Sequence, residues 1–256
     1  MMKGKTVAVT GVSSGIGAAT ARLLIESGAR VVGFDRNEPT AEIAEFHKVD
    51  IADPRSIEAA LKGQSNRFDA LCNIAGVPPT LDKHTVIKVN FFGLRHFTET
   101  AADKLNDGAP IVNLASLAGF AWRDNLPTVR QGLATSFDAS DQWIDRLNVE
   151  GAPSYHLSKE LVIAWTIQNC QRWKDRGIRI NCVSPGPVDT PILGDFIKTL
   201  GKRAEEDLKQ NRAGTADEIA QVVALMCSPR TSWINGADIA VDGGAGAAAL
   251  QGIYFS

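Results

Sequence analysis

The feature that most constrains the fold of this chain is a regular alternation of short, continuously apolar strands with helical segments. The N-terminal part predicts a strand at Thr6–Thr10, a helix at Ile16–Ser27 and a second strand at Arg30–Phe34. Strands that are apolar on both faces and separated by helices are typical of parallel sheets covered by helices on each side. The chain therefore begins with a predicted β-α-β unit.

The same alternation continues along the chain. Further strands are predicted at Ala70–Asn73, Ile111–Ala115, Arg179–Ser184 and Asp238–Val241, and further helices at Val86–Lys104, Ser154–Arg176 and Thr215–Cys227. The 256 residues suit one large α/β domain, and no repeat or linker divides them. We expect a single domain over residues 1–256 with an α/β fold, a Rossmann-like doubly wound parallel sheet.

Two segments break this alternation. Residues 120–153 carry two short helical patterns, near Pro127–Phe137 and Ala139–Val149, and Gly151 is the expected stop of the second. These patterns predict an inserted helical arm. Residues 187–212 follow a Pro-Gly-Pro sequence at a strand end, and their weakly amphipathic composition predicts a flexible lid over a substrate.

Composition and charge narrow the range of partners. A net charge of −2 argues against binding to nucleic acid or to an anionic membrane. The four cysteines lack metal-ligand spacing and are predicted to be reduced core residues, so we expect no metal. The N-terminus passes directly into a strand, and no long apolar run follows, which predicts a cytoplasmic protein. The expected partner is a small molecule.

A glycine-rich turn joins the first strand to the first helix and predicts a dinucleotide site. Glycines at this junction allow a tight turn and let the backbone approach a pyrophosphate at the helix N-terminus. An acidic residue, Asp35, ends the second strand, where the ribose of a dinucleotide would lie. The predicted contact residues of this turn are Gly11, Ser13, Ser14, Gly15, Ile16 and Gly17.

Asp35 also indicates which dinucleotide is bound. Its carboxylate can accept hydrogen bonds from both adenosine ribose hydroxyls, whereas a 2′-phosphate at that place would meet like charge. NAD is therefore predicted over NADP. The neighbouring Arg36 leaves an alternative open, because a guanidinium could turn towards a 2′-phosphate.

Tyr155 and Lys159 lie four residues apart and would share one face of a helix. A nearby ammonium favours phenolate and would lower the pKa of the tyrosine towards the working range of an acid-base catalyst. The pair alone also occurs by chance in many helices, so its significance depends on the rest of the chain.

These residues resemble the short-chain dehydrogenase/reductase family over essentially the whole chain. The motifs that carry the resemblance are Thr10 to Gly17, Asp50-Ile51, Asn73 to Gly76, Val89-Asn90, Ile111 to Ser116, Tyr155 to Lys159, Asn181 to Gly186 and Val241 to Gly244. The resemblance implies an enzyme of this family that transfers a hydride between an alcohol and a nicotinamide cofactor, here NAD.

The resemblance also implies further cofactor contacts beyond the glycine-rich turn. Asp50 and Ile51 would border the adenine, and Asp50 has the alternative role of a turn residue. Asn73 would back the adenosine ribose, or it would serve as an amide that stabilises the sheet. The remaining implied contacts are Ala75 and Gly76 behind the ribose, Val188 and Thr190 at the carboxamide, and Tyr155 and Lys159 at the nicotinamide.

Four residues are expected to act in catalysis. Tyr155 would exchange the proton of the substrate hydroxyl, while Lys159 would lower the pKa of Tyr155 and bond the nicotinamide ribose. Ser116 would hydrogen-bond the substrate oxygen, with a helix N-cap as the alternative role. Asn90 would support a water that relays protons to Lys159, or it would kink its helix.

Two departures from the family's usual spacing indicate a subgroup. Ser116 and Tyr155 are 39 positions apart because of the inserted arm, and only 14 positions separate Gly76 from Asn90, which predicts a shortened or missing helix. This combination is similar to hydroxysteroid dehydrogenase/carbonyl reductases and, as an alternative, to aryl alcohol dehydrogenases of the coniferyl type. We expect a homodimer or homotetramer whose interface differs from the family's common one.

The substrate is expected to be an apolar alcohol or ketone. The apolar side chains that would wall its pocket are Phe120, Trp122, Pro187, Ile192 and Leu193, each of which would also suit ordinary packing. A regulator that binds NAD without turnover is the third hypothesis, and the complete Ser116, Tyr155 and Lys159 set disfavours it.

Overall fold

A computed structural model of the protein describes residues 2–200 and 212–254. Its centre is a seven-stranded sheet in which every neighbouring pair is parallel. In spatial order the strands are β3 (Glu45–Lys48), β2 (Arg30–Asp35), β1 (Thr6–Thr10), β4 (Ala70–Asn73), β5 (Pro110–Leu114), β6 (Arg179–Pro185) and β9 (Asp238–Val241). A separate two-stranded pair joins β7 (Val188–Asp189) to β8 (Gly214–Thr215). The predicted doubly wound sheet is confirmed.

Helices cover both faces of the sheet, as fully buried parallel strands require. Their bounds are α1 (Gly15–Glu26), α2 (Pro54–Lys62), α3 (Lys83–Ile87), α4 (Leu94–Ala101), α5 (Leu126–Ala134), α6 (Ser140–Asp145), α7 (Ala152–Gln168), α8 (Leu193–Leu200), α9 (Ala216–Met226) and α10 (Ala245–Tyr254). A π-helical turn, Lys88–Gly93, joins α3 to α4. One buried apolar cluster lies on each side of the sheet. None of the described helices is both long and apolar enough to span a membrane.

The strand order places the ligand crevice. β1 lies between β2 and β4, so the chain changes direction across the sheet at the carboxyl ends of β1 and β4. Ligands of open α/β sheets bind at such a switch point. The glycine-rich turn, Asp35 and Ser116 each follow the carboxyl end of a strand or close it, so they meet at one edge of the sheet.

Several predicted bounds and assignments were wrong. The helix expected over Ser154–Arg176 ends at Gln168, where the Asn169 side chain bonds the carbonyl of Trp165. β3 and α2 were not predicted, because β3 is a half-exposed edge strand without an apolar run. α2 nevertheless carries a sequence signal, since Asp53 caps it and Pro54 opens it. The four cysteines are free thiols, as expected.

The inserted segment contains α5 and α6, and both pack back onto the body of the protein. A Cβ added to Gly132 of α5 would lie 2.6 Å from the Leu161 side chain and 2.7 Å from Trp143, which shows how closely α5 approaches α7 and α6. The Arg95 guanidinium donates to the carbonyls of Leu133 (3.2 Å) and Thr135 (2.6 Å) at the end of α5.

Gly151 does not end the second helix of this segment, as the sequence suggested. α6 ends at Asp145, and Gly151, with φ 58°, precedes α7 instead. Between Gly76 and α3 the structure has turns and no helix, in line with the shortened spacing to Asn90. The predicted lid, residues 187–212, includes β7 and α8, and its residues 201–211 lie outside the described part of the chain.

Candidate active site

The glycine-rich turn is built by backbone contacts that leave no room for side chains. Gly11 has φ 78°, and a Cβ there would lie 2.8 Å from the Ala75 backbone. A Cβ on Gly17 would lie 1.9 Å from the carbonyl oxygen of Gly11, so the first turn of α1 rests on the loop. These approaches fix the N-terminus of α1 beside the carboxyl ends of β1 and β4.

The surface of this turn fits an anionic group. Ser14 is the N-cap residue of α1, is exposed, and makes no side-chain cap bond, so its hydroxyl is available. A helix N-terminus with free N–H groups binds phosphate through those groups and the helix dipole. Gly15 and Ile16 begin α1 at this point, and Thr190 approaches Gly15, where an added Cβ would lie 3.4 Å from the threonine methyl. The glycine turn and the β7 strand therefore border one cleft.

Asp35 is held beside the same turn. One of its carboxylate oxygens accepts from the backbone N–H of Ser13 at 3.0 Å, and the other accepts from that of Asn37 at 3.0 Å. The carboxylate is thus oriented at the end of β2, where it faces the loop. Each oxygen retains capacity to accept a further hydrogen bond from a ribose hydroxyl. Arg36 beside it is exposed.

Thr10, which the sequence reasoning did not assign a role, anchors the other wall of the crevice. Its buried hydroxyl accepts from the backbone N–H groups of Ile74 (3.0 Å) and Ala75 (3.1 Å). The end of β4 is thereby tied to the end of β1. A polar residue closing an otherwise apolar strand was the available signal.

Asn73 lies inside the protein rather than at the crevice. Its amide donates to Thr98 and to Asn113, each at 2.8 Å, and Asn113 donates on to Thr166 at 3.0 Å. The structure therefore favours the role of a sheet-stabilising amide for its side chain. A buried amide ladder of this kind ties β4 and β5 to the helices above them.

Asp50 and Ile51 lie at the end of the loop after β3. The exposed carboxylate of Asp50 accepts from the backbone N–H of Ala52 at 2.9 Å, which is a turn role, and leaves the residue facing solvent. Ile51 is buried, and a Cβ on Gly93 would lie 2.1 Å from its carbonyl oxygen. Close packing against the π-helical turn therefore sets the position of Ile51.

Ser116 and Tyr155 come together because the chain after β5 packs tightly onto α7. Ser116 caps a short 3-10 turn, Leu117–Gly119, by accepting from the backbone N–H of Ala118 at 3.2 Å. A Cβ on Gly119 would lie 2.6 Å from the Lys159 carbonyl carbon, so this turn lies directly against α7. The N-cap role considered for Ser116 is therefore observed, and its hydroxyl also opposes the rise in the pKa of Tyr155.

Lys159 is buried beneath Tyr155. Its Nζ donates to the carbonyl of Leu114 at 3.0 Å and lies 5.6 Å from the centroid of the Tyr155 ring. A Cβ on Gly76 would lie 3.7 Å from the same Nζ, so the end of β4 borders this cation. Burial lowers the pKa of Lys159 to about 8, because the charged form loses hydration.

The expectation that Lys159 lowers the pKa of Tyr155 is not met in the protein by itself. Burial raises the pKa of Tyr155 to about 12, and the Ser116 hydroxyl opposes that rise. Ser116 therefore favours the phenolate here. A phenol in this state is a proton donor unless a further positive charge is placed beside it.

Asn90 lies in the π-helical turn and is fully buried. Its amide oxygen accepts from the Val77 N–H at 2.8 Å, and its amide nitrogen donates to the Val77 carbonyl at 3.2 Å and to Ser158 Oγ at 3.1 Å. The irregular helix matches the kink that was considered as an alternative. The water relay to Lys159 stays a prediction.

The lid contributes a residue that the sequence reasoning missed. The Phe196 ring of α8 meets the Tyr155 ring edge to face, with centroids 4.9 Å apart. Of the predicted pocket residues, Ile192 and Leu193 are half-buried, Pro187 and Phe120 are exposed, and Trp122 packs against the core. Val188 is buried and hydrogen-bonds Thr190 through its carbonyl.

Comparison with known proteins identifies the family. The family description "short chain dehydrogenase" matches residues 5–128, and "Enoyl-(Acyl carrier protein) reductase" matches residues 133–246. A coniferyl-alcohol dehydrogenase of Pseudomonas sp. (strain HR199 / DSM 7063) is 41% identical over 244 residues, covering 94% of this chain and 96% of the relative. The chain belongs to the short-chain dehydrogenase/reductase family.

This short-chain dehydrogenase is also similar to a 3-alpha-hydroxysteroid dehydrogenase/carbonyl reductase of Comamonas testosteroni, at 29% identity over 266 residues, with 93% of this chain and 95% of the relative covered. Among solved structures it resembles the 3-alpha-hydroxysteroid dehydrogenase from Pseudomonas sp. B-0831 complexed with NADH. That match has a TM-score of 0.81 at 28% identity and covers 98% of this chain and 100% of the other.

The site of this short-chain dehydrogenase has the parts that hydride transfer to a nicotinamide cofactor requires. The glycine turn and Asp35 form one end of a cleft, and Ser116, Tyr155 and Lys159 lie at the other. A half-buried phenol near a serine hydroxyl can exchange a proton with a substrate oxygen. The protein is an oxidoreductase of this family that uses a nicotinamide cofactor.

Proposed function

We propose that this short-chain dehydrogenase oxidises a bulky apolar alcohol of the aryl allylic, coniferyl type to its carbonyl compound with NAD. The observation that carries the reaction type is the Ser116, Tyr155 and Lys159 arrangement at the end of the nucleotide cleft. The substrate class is supported by the relative of coniferyl type at 41% identity and by Phe196, whose ring lies against Tyr155. A planar, conjugated substrate can stack on such a ring.

In this proposal, Ser116 and Tyr155 bind the substrate hydroxyl between them. Tyr155, as phenolate, takes the hydroxyl proton, and Ser116 donates to the oxygen as negative charge develops. The glycine turn and Asp35 would hold NAD, which would supply the hydride acceptor and, before the transfer, a positive charge near the phenol. Lys159 keeps its own charge below about pH 8 and can bond the ribose hydroxyls at this end of the cleft. Phe196 excludes water from the reacting oxygen.

The choice of NAD rests on Asp35. Its carboxylate is oriented by Ser13 and Asn37 and offers acceptors to the two ribose hydroxyls, whereas a 2′-phosphate would meet its negative charge. Replacing Asp35 with asparagine removes that charge and keeps the side-chain size. We expect the preference for NAD over NADP to fall in this variant.

A hydroxysteroid is the second candidate substrate, and a specific observation favours it. The fold match to a 3-alpha-hydroxysteroid dehydrogenase spans 98% of the chain with a TM-score of 0.81. A steroid would present a rigid ring system to Phe196 in place of an aryl group. The two candidates differ in the alcohol, since one is primary and allylic and the other is secondary and alicyclic.

The test measures the formation of NADH from NAD, or of NADPH from NADP, with coniferyl alcohol, a 3α-hydroxysteroid and cyclohexanol as substrates. The proposal expects the highest kcat/KM with coniferyl alcohol and NAD. A higher kcat/KM with the steroid would replace the first candidate by the second, and a higher value with NADP would contradict the role of Asp35. NAD binding without turnover of any alcohol would support the regulator hypothesis.

We further propose that the enzyme is a cytoplasmic homo-oligomer, most simply a homodimer. The inserted helices α5 and α6 support an interface that differs from the family's common one. They cover part of α7 and the π-helical turn with buried residues such as Val129 and Trp143. Light scattering at micromolar concentration tests this proposal. A mass equal to that of one 27.4 kDa chain would contradict it.

A further inference from the structure

Glu160 directly follows Lys159 on α7 and places a carboxylate in a part of the helix that is almost completely buried. Only 6% of its surface is exposed. Burying a carboxylate is unfavourable unless hydrogen bonds replace its hydration. In the described part of the chain its hydrogen-bond donor is Asn125, whose amide nitrogen lies 2.7 Å from Glu160 Oε2. Neither residue belongs to the catalytic or cofactor-binding set.

Asn125 occupies a position where its side chain would ordinarily have another task. It is the N-cap residue of α5, where asparagine usually accepts a hydrogen bond from the first turn of the helix. Its side chain makes no such bond here and reaches Glu160 instead. The contact with α7 thus replaces the local stabilisation of α5.

The Asn125–Glu160 contact is one of the points that hold residues 116–125 on α7. Another point is Gly119, whose backbone lies against the carbonyl of Lys159. Ser116 begins this segment as the N-cap of the turn that ends at Gly119. Its position relative to Tyr155 therefore depends on how the segment is seated on Lys159 and Glu160.

We propose that Asn125 and Glu160 are positioning residues. They fix the inserted segment, and with it Ser116, in place on α7, the helix that carries Tyr155 and Lys159. The inference rests on the proposed alcohol dehydrogenase activity. The pair acts through Ser116 and touches neither substrate nor cofactor, so its loss should lower kcat and leave NAD affinity unchanged. The same contact connects the inserted arm to the reacting centre.

The hydrogen bond can be broken and restored by exchanging donor and acceptor. Asn125→Asp places two carboxylates in contact, and the double variant Asn125→Asp with Glu160→Gln recreates one amide and one carboxylate in reversed order. The matched control is Asn66→Asp, because Asn66 donates to Glu45 at the same 2.7 Å beside the edge strand β3, away from the catalytic helix. Each protein is measured for kcat, NAD dissociation constant and hydrogen exchange of residues 117–126.

We expect Asn125→Asp to lower kcat by between about tenfold and a hundredfold, the loss typical of a displaced catalytic group. Exchange of residues 117–126 should rise, and the double variant should recover most of both changes. Asn66→Asp should keep the wild-type kcat. Wild-type turnover in Asn125→Asp, or a folded double variant that binds NAD without recovering turnover, would overturn the proposal.

Two further outcomes are covered. If Asn125→Asp does not fold, Asn125→Ala removes the donor without adding a charge, and wild-type turnover in that variant would overturn the proposal. If the wild type oxidises no alcohol, the proposed function fails by itself. Hydrogen exchange of residues 117–126 then tests the positioning role separately. A rise in Asn125→Asp that the double variant reverses supports the positioning role of the Asn125–Glu160 contact, and unchanged exchange contradicts it.

Discussion

Around Gly11 and Gly17 the backbone is fitted against other backbone atoms, whereas the inserted segment between Phe120 and Pro153 is held by side chains. A Cβ on Gly17 would lie 1.9 Å from a carbonyl oxygen, so that region accepts no other residue. The inserted segment relies on Arg95 bonded to carbonyls, on Asn125 bonded to Glu160 and on ring contacts of Phe92 with Phe137 and Trp143. Such contacts can be exchanged for others of similar energy.

The difference separates what is general in this enzyme from what is particular to it. The cofactor side must match a fixed ligand, a dinucleotide, and is built from backbone and one carboxylate. The proposed substrate side combines the inserted segment with α8, whose Phe196 ring centroid lies 4.9 Å from that of Tyr155. Substitutions on the first side should affect cofactor binding, and those on the second should affect turnover or substrate preference.

The largest effect is expected where the two sides meet, at Tyr155. Tyr155→Phe removes the hydroxyl that exchanges the substrate proton and should lower kcat by about 10²–10⁴. NAD affinity, measured by fluorescence or calorimetry, should stay near that of the wild type, because the cofactor cradle is unchanged. Near wild-type turnover would remove Tyr155 from the mechanism.

On the cofactor side, Gly17→Ala should weaken NAD binding by about a hundredfold, since the added methyl would force α1 away from the loop by more than an ångström. Gly63→Ala is the matched control, because Gly63 has φ −69° and an added Cβ would lie 3.5 Å from its nearest neighbour. Calorimetric titration with NAD measures both. Equal affinities for the two variants would contradict the backbone-fitted cradle.

On the substrate side, Phe196→Ala should raise KM for an aryl alcohol by about tenfold, the effect of losing one buried aromatic contact. The NAD dissociation constant should not change. Trp233→Ala serves as the control, because Trp233 is 99% exposed and precedes β9 at the opposite end of the sheet. An unchanged KM in Phe196→Ala would exclude Phe196 from the substrate pocket.

The last effect concerns stability rather than catalysis. Burial lowers the pKa of Lys159 to about 8 in the folded protein from an ordinary value of 10.5. Above about pH 10.5 the residue is neutral in both states and has no effect, and below about pH 8 its charge destabilises the fold. After allowance for the lost bond to Leu114, Lys159→Met should be roughly 2 kcal/mol more stable at pH 7.

Urea denaturation at pH 7 and above pH 10 measures this gain. The variant should lose activity while gaining stability, and the gain should shrink as the pH rises from 8 to 10.5. A variant that is less stable than the wild type at pH 7 would show that the ammonium is well compensated where it lies.

The same two regions differ in how far the sequence predicts them. The glycine turn, Asp35 and the central strands follow from local patterns, because apolar runs and glycines leave few alternatives. The end of α7 was predicted wrongly because the bond from Asn169 to Trp165 sets it. Strand β3 was missed because it is half exposed, and both features are determined only by the assembled fold. Likewise, Asn73 could not be assigned to the interior until its partners Thr98 and Asn113 were known.

For the candidate catalytic residues, the sequence predicts the residue types but not their environment. The expected fall in the pKa of Tyr155 was wrong for the protein alone, because burial raises that pKa to about 12. Phe196 and the Asn125–Glu160 contact carry no sequence motif, since each depends on tertiary packing. The proposed determinants of substrate specificity therefore lie mainly in the region that the sequence predicts least.

The most direct test of this account is a single-turnover measurement with enzyme, NAD and coniferyl alcohol. We expect one NADH for each coniferyl aldehyde produced by the wild type, and almost none from Tyr155→Phe at equal occupancy with NAD. NADH formation by Tyr155→Phe at the wild-type rate, or aldehyde without NADH, would contradict it.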